Sequence, residues 1–324
     1  MKRRPFFIVT VDTEGDNLWA RPTRITTANA AFLPRFQSLC ERYGIRPVYL
    51  VNYEMAVCPV FQAFGRTLIA RDAAEIGAHP HPWNSPPVIE LTVDDMRHLP
   101  YLTDYPADVI EMKLRYLTDL IEEVFGIRPV SHRAGRWGFD EQVAAILVRL
   151  GYRIDCSVTP NLSWRDVPGT PGGKGGADYR DFPEQPYFLD LENISLAGKS
   201  PLLEVPMTIR RFGGPTIEQL RAYLPHGKFV RRVLNRIYPE DAWLRPCGGH
   251  PERLARLLRR CAADGHMHAQ FMIHSSELMP GGHPSIKDIC AVDRLYAQIE
   301  TLFFEAAHIA RPITHREFYE IMCN

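Results

Sequence analysis

Seven short runs of β-branched and aromatic residues recur along this 324-residue chain, most followed by a stretch with helical period, and this alternation constrains the fold more than any other feature. The runs cover residues 6–12, 46–52, 74–81, 129–135, 153–158, 202–208 and 269–275. Helical patterns fall at 29–43, 55–72, 106–125, 139–150, 216–222, 226–237, 250–264 and 285–308, and Gly44, Gly126, Gly151 and Gly265 stand where C-terminal caps belong. Such a pattern predicts a mostly parallel sheet wrapped by helices, and seven strands fit a closed α/β barrel better than an open sheet. Residues 160–200 break the rhythm, so the chain reads as one barrel over 1–324 with an inserted loop region at about 160–200. Aromatic residues of that region, Trp164, Tyr179, Phe182, Tyr187 and Phe188, either line a groove or pack the loop itself.

Composition excludes several classes. Lys and Arg number 38 against 38 Asp and Glu, so the formal net charge is zero, and with no nucleic-acid-binding motif a nucleic-acid partner is not expected. The seven cysteines form no CxxC pair and no even ladder, which argues against a disulfide scaffold or a zinc finger. No stretch reaches the roughly 18 apolar residues that a membrane-spanning helix requires. The opening MKRRPFFIVTVD imitates a signal peptide, but its apolar run ends at Asp12 without a small-residue cleavage site, so it reads as a first strand and a cytoplasmic location is expected. Basic residues outnumber acidic ones between Lys228 and Arg260, with Arg231, Arg232 and Arg236 on one side of a helical pattern. Such a stretch is either a solvated helix face or a docking surface for an anionic carrier or a membrane surface, so peripheral membrane contact stays open.

Polar residues capable of holding a metal gather at the C-terminal ends of the strand candidates, the rim where α/β barrels place their chemistry. Asp12 and Glu14, followed by Asp16, leave the first run; two carboxylates spaced i, i+2 share one side of an extended chain, as a base and a cation ligand or as an acidic turn. His79 and His81 have the same spacing, and Pro80 and Pro82 keep the segment extended. Two imidazoles and a carboxylate form the ligand set of a hydrolytic metal site with a coordination place left for water. His274 ends the last run and suits a general acid or base, or a hydrogen-bonded histidine at the end of a buried strand; no GxSxG elbow supports a serine hydrolase. Trp83, Trp137 and Trp164 lie near these groups in sequence, positioned to stack on a sugar ring or to pack the barrel.

In this order VTVDTEG, EIGAHPHPW, SHRAGRWGF, DCSV and FMIHSSEL, from residue 6 to about 280, resemble the motifs of the polysaccharide deacetylase family with the NodB homology domain, carbohydrate esterase family 4. That resemblance implies a distorted (β/α)7 TIM-like barrel and a metal-dependent deacetylase. By it, Asp12 is the general base, Glu14, His79 and His81 hold one divalent metal, His274 is the general acid, Arg133 orients Asp12 and Asp155 tunes His274. Zinc is the first expectation for the metal, with cobalt and nickel as alternatives. The sequence departs from the family twice: Glu14 stands where the family has Asp, and an HxH replaces its HxxxH, with Trp83 at the place of the second histidine. Asp16 and His283 are the reserve ligands. The expected reaction is removal of an N-acetyl group from an amino sugar in an intracellular glycan precursor or glycosylated metabolite, free or carrier-linked. The alternatives are a metal-independent amidase acting on another linear or cyclic amide and a catalytically degenerate glycan-binding barrel.

Overall fold

The computed structural model describes residues 4–20, 22, 24–167, 169, 175–210, 242–246 and 251–324. Six parallel strands follow the sequence expectation from one side of the barrel to the other: β1 (Phe6–Thr13), β2 (Val48–Val51), β3 (Glu75–Ala78), β4 (Ser131–His132), β5 (Ile154–Asp155) and, after a two-residue strand β6 (Tyr187–Phe188), β7 (Leu203–Glu204). The seventh, β10 (His268–His274), returns to lie parallel to β1, with Asp12 directly beside His274. β6 pairs antiparallel to β7 at the sheet edge, and β8 (Ile209–Arg210) with β9 (Ala242–Trp243) forms a separate ribbon. These seven strands curl into a distorted (β/α) barrel, each of them overlapping a run expected from the sequence, while the short parallel strand β11 (Arg311–Pro312) matches no run.

The distortion sits between β7 and β10, which no ladder joins among the described residues. Side chains and the ribbon bridge that seam. His268 Nε2 donates to Pro206 O at 2.8 Å, Thr208 Oγ1 accepts the Gln270 amide at 2.8 Å, and Met272 N donates to Leu244 O at 3.2 Å. β1 is shared in a similar way on its other side. Its first residues pair with β11 (Arg311–Pro312) and its last with β2.

Period-two alternation sorts the side chains. Phe6 and Ile8 join Val48, Leu50, Ile154, Cys156, Leu203 and Val205 inside the barrel, whereas Phe7, Val9 and Val11 face the surrounding helices. The helices are α1 (Leu33–Arg42), α2 (Tyr53–Ala56), α3 (Pro59–Ala70), α4 (Asp95–His98), α5 (Ala107–Phe125), α6 (Glu141–Leu150), α7 (Glu252–Asp264), α8 (Ile289–Ile309) and α9 (His315–Cys323). Pro59 breaks the pattern expected over 55–72 into α2 and α3, since an imino nitrogen cannot continue the first helix's hydrogen bonding. α9 lies beyond the helical patterns expected from the sequence, and Thr314 and Glu317 form a capping box at its start. It closes the bottom of the barrel with Phe318, whose ring meets Phe6 edge-on at 5.5 Å. The helix patterns at 216–222 and 226–237, with Arg231, Arg232 and Arg236, lie outside the described residues. Within them, α7 carries exposed ion pairs from Arg259 to Glu252 and Glu305 and from Arg260 to Asp264.

The inserted region packs more than it opens. Tyr179 is fully buried and donates to Trp137 O at 2.6 Å, and Tyr187 donates to Ile194 O at 2.7 Å. Trp164 faces the pocket described below. No described helix is long and apolar enough to cross a membrane.

α5 supplies an anchor for the loop after the histidine motif. Lys113, 1% exposed, donates to Ser85 O and Pro87 O, both at 2.8 Å. Burial pushes its ammonium down to about 8 from 10.5. A depressed lysine leaves the unfolded chain holding more protons, so stability rises as pH climbs from about 8 to about 10.5, by up to about 3 kcal/mol. Because other buried groups also titrate there, the measurement is the stability difference between wild type and Lys113→Met in urea at pH 7.5 and pH 10. A difference that does not move with pH would refute the assignment.

Candidate active site

A pocket of about 490 Å³ opens at the C-terminal ends of β1, β3 and β10 and is lined by Asp12, Glu14, His79, His81, His274 and the three tryptophans Trp83, Trp137 and Trp164. Alternation puts the acidic pair there. Ile8, Thr10, Asp12 and then Glu14 follow one another on the inner side of β1, and the extended chain through Pro80 does the same for Glu75, Gly77, His79 and His81 after β3. Glu14 leaves the strand but is held by its backbone: Ser275 Oγ accepts its N–H at 3.0 Å and donates to its carbonyl at 3.0 Å, and Asn29 Nδ2 donates to that carbonyl at 2.7 Å.

Glu14, His79 and His81 bring one ligand atom each to within 4.8 Å of one another, all three residues being buried. Glu14 Oε2 lies 3.4 Å from His79 Nε2 and 2.8 Å from His81 Nε2. His79 Nδ1 is 2.9 Å from Arg133 O; a carbonyl only accepts, so Nδ1 carries a proton, and the Nε2 that faces Glu14 donates to the carboxylate when the ring is protonated and would offer its lone pair to a metal when the ring is neutral. Burial works against a charged Glu14, yet hydrogen bonds from His79 and His81 hold its carboxyl well below the usual range. Burial likewise opposes a charged His79, and Asp12 with Glu14 outweighs it, raising the imidazole above its ordinary value. Two imidazole nitrogens and a carboxylate oxygen converging on one point suit a divalent ion such as zinc, cobalt or nickel.

Gly135 makes that convergence possible. A Cβ on it would stand 2.5 Å from His81 Nδ1 and 2.9 Å from Pro80 O, so any side chain there drives the ring aside. Gly135→Ala is expected to weaken divalent-ion binding by roughly 10- to 100-fold, as read by titration with a competing chelator. Unchanged affinity would show that the His81 ring is not held by this contact.

Asp12 lies beside the cluster. Its Oδ1 accepts from Arg133 Nη1 at 2.5 Å, and its Oδ2 is 3.9 Å from His79 Nε2. Burial alone would raise its pKa, but the Arg133 guanidinium and His79 hold it below the usual value. Arg133 is completely buried and spans the barrel, donating also to Thr10 Oγ1 at 3.0 Å and Cys156 O at 3.1 Å. His274 faces the cluster from β10, with Nε2 4.0 Å from Glu14 Oε1.

Asp155 requires correction. Expected to tune His274, it points to the outside of the barrel, because Ile154 and Cys156 on either side of it fill the interior. There it meets His132 Nδ1 at 2.6 Å and accepts from Ser157 N at 2.9 Å. Glu204, next to it in register, is pushed far above the usual carboxyl range by burial and by the charge of Asp155. The group at His274 Nδ1 is Glu277, 3.1 Å away, which also accepts the His274 backbone N–H at 2.9 Å. The capping spacing of His274 and Glu277 was the available signal. Both reserve ligands lie elsewhere too. Asp16 accepts from Thr26 Oγ1 and from Asn29 N, and His283 faces a neighbouring cavity with Nδ1 2.6 Å from Ser285 Oγ.

Sequence reasoning also missed Glu54, a buried carboxylate that accepts from Asn52, Asn84 and Gly15 and so ties the Glu14 turn to the loop of Trp83. The tryptophans stand as a wall. Trp83 packs on His81 with centroids 5.0 Å apart, and Trp243 bridges Trp137 and Trp164 at 5.9 and 6.3 Å.

The sequence matches no protein-family model and no curated protein. Solved structures do match. A Parabacteroides distasonis protein described as a candidate glycoside hydrolase/deacetylase superposes with TM-score 0.58 at 10% identity, over 98% of this chain and 71% of that one. A candidate polysaccharide deacetylase from Mycobacterium smegmatis gives TM-score 0.52 at 14% identity, over 99% and 91%. The 4-alpha-glucanotransferase of Thermococcus litoralis gives 0.51 at 12%, over 98% of this chain and 40% of that one. Identity at this level speaks for the fold, and the chain carries the barrel fold of the polysaccharide deacetylases in a divergent form.

Proposed function

We propose that this chain is a divalent-metal-dependent hydrolase that removes the acetyl group from an N-acetylated amino sugar. The reading rests on one juxtaposition: a buried Glu14, His79 and His81 cluster with its ligand atoms within 4.8 Å, beside Asp12 and His274, which are neighbours in the β1–β10 register. A divalent ion held by those three side chains would supply Lewis-acid polarisation of the amide carbonyl and of water. Asp12, kept anionic by Arg133, takes the proton of the attacking water through Oδ2. His274, its Nδ1–H held by Glu277, turns Nε2 to the pocket and protonates the departing nitrogen, leaving acetate and the free amine. Trp83, Trp137 and Trp164 give the sugar apolar faces to stack on.

Zinc is the first choice of metal, with cobalt or nickel as substitutes, and the substrate class is a cytoplasmic glycan precursor or glycosylated metabolite. Protein purified without chelator is expected to hold about one divalent ion per chain and to release acetate from N-acetylated amino sugars. Chelation should abolish both, and zinc, cobalt or nickel should restore them. Acetate or amine release that survives chelation would favour the metal-independent amidase. Sugar binding without hydrolysis in the metal-loaded protein would favour the glycan-binding barrel.

A further inference from the structure

Two guanidinium groups line the pocket above its carboxylates: Arg136, half-buried, and Arg245, whose side chain is 21% exposed. The carboxylates beneath are engaged from within, Asp12 by Arg133 at 2.5 Å and Glu14 by His79 and His81 at 3.4 and 2.8 Å. Glu277 Oε2 is the acid nearest Arg245, at 3.8 Å, and that same oxygen already accepts the N–H of His274 and meets its ring. Arg245 Nη2 also lies 3.5 Å from His274 Nδ1, so both of these contacts of its guanidinium are long ones.

The backbone supports the same reading. Arg136 and Trp137 are adjacent non-glycine residues at φ 54° and 63°, both lining the pocket. L-residues avoid this left-handed region, and strain of this kind gathers at ligand sites. Tyr179 anchors the segment by donating to Trp137 O at 2.6 Å. Arg245 stands between two cavities, since it also lines a neighbouring one of about 570 Å³ together with Trp243, His283, Ser285 and Arg294. Its guanidinium lies 5.8 Å from the centre of the Trp243 ring, and the planar fork of a guanidinium matches the oxygens of a phosphate or carboxylate.

We propose that the site takes an anionic amino sugar, whose phosphate or carboxylate oxyanion is gripped by Arg245 and Arg136 while the rest of the molecule runs past Trp243 into the second cavity. Only the identity of the neighbouring acetamido group rests on the deacetylase reading. The test is equilibrium binding by the metal-loaded full chain, followed by tryptophan fluorescence or calorimetry. Three probes are compared: N-acetylglucosamine, its 1-phosphate and the corresponding uronic acid. At low salt at least one anionic probe is expected to bind about tenfold or more tightly than the neutral sugar, with the advantage shrinking as salt rises. Arg245→Gln should bring that ratio close to one, and Arg245→Lys should keep part of it; Arg136→Gln is the second independent variant. The preferred probe tells phosphate from carboxylate. If neither anionic sugar outbinds the neutral one, including the case where none binds measurably, the proposal falls. A ratio unchanged in folded Arg245→Gln and Arg136→Gln proteins would overturn it equally. Binding is read without turnover, so a failed deacetylation assay leaves this result standing, and lost anion preference leaves the deacetylase reading intact.

Discussion

Alanine at His79 or at His81 is expected to remove the bound divalent ion and to lower acetate release by about a thousandfold or more, because either change leaves only two protein ligands. The two variants should behave alike, although the rings are held differently. His79 is fixed by its bond to Arg133 O, whereas the His81 ring is wedged between Gly135 and Trp83. Both side chains are buried, so some loss of stability is expected, and circular dichroism with a melting curve must accompany the metal analysis. Glu14→Gln keeps size and removes charge, and should fall between these variants and wild type in affinity. Stoichiometric metal in both alanine variants would show that the HxH pair is structural.

The second large effect belongs to Asp12. Asp12→Asn keeps the shape and one acceptor oxygen but leaves Arg133, which is completely buried, without an opposing charge at its Nη1. Removing one partner of a buried ion pair costs about 3–5 kcal/mol, and the retained amide oxygen should place this variant near the lower end. Loss of the base should lower turnover by about 10²- to 10⁴-fold. Metal content should stay at the wild-type level, since Glu14, His79 and His81 are untouched. This combination separates Asp12 from the ligands. Turnover within tenfold of wild type would remove Asp12 from the mechanism, and loss of the metal would make it a ligand.

Much of the architecture is legible in the sequence. Each of the seven apolar runs overlaps one parallel strand of the barrel, and Gly126, Gly151 and Gly265 end their helices at φ 70°, 89° and 78°. Runs such as FFIVTVD carry both their propensity and their period locally, so the strand and the sidedness of its residues follow from a few neighbours. For the same reason Asp12 with Glu14 and His79 with His81 could be paired from spacing alone.

Asp155 shows where local reading stops. Its position at a strand end was legible, but the side it faces depends on whether Ile154 or Asp155 fills the interior, and the barrel gives that place to Ile154 and Cys156. Glu277, three residues from His274, takes the position at its Nδ1 instead. The open seam between β7 and β10, bridged by His268, Gln270 and Thr208, had no local signature either, because strand neighbours far apart in sequence are chosen by packing. The sequence by itself determined the strands, the order of the motifs and the donor types. Only the tertiary structure decided which donors converge, through the register that sets Asp12 beside His274 and the close packing of Gly135 on His81, since both depend on contacts between segments that nothing local links.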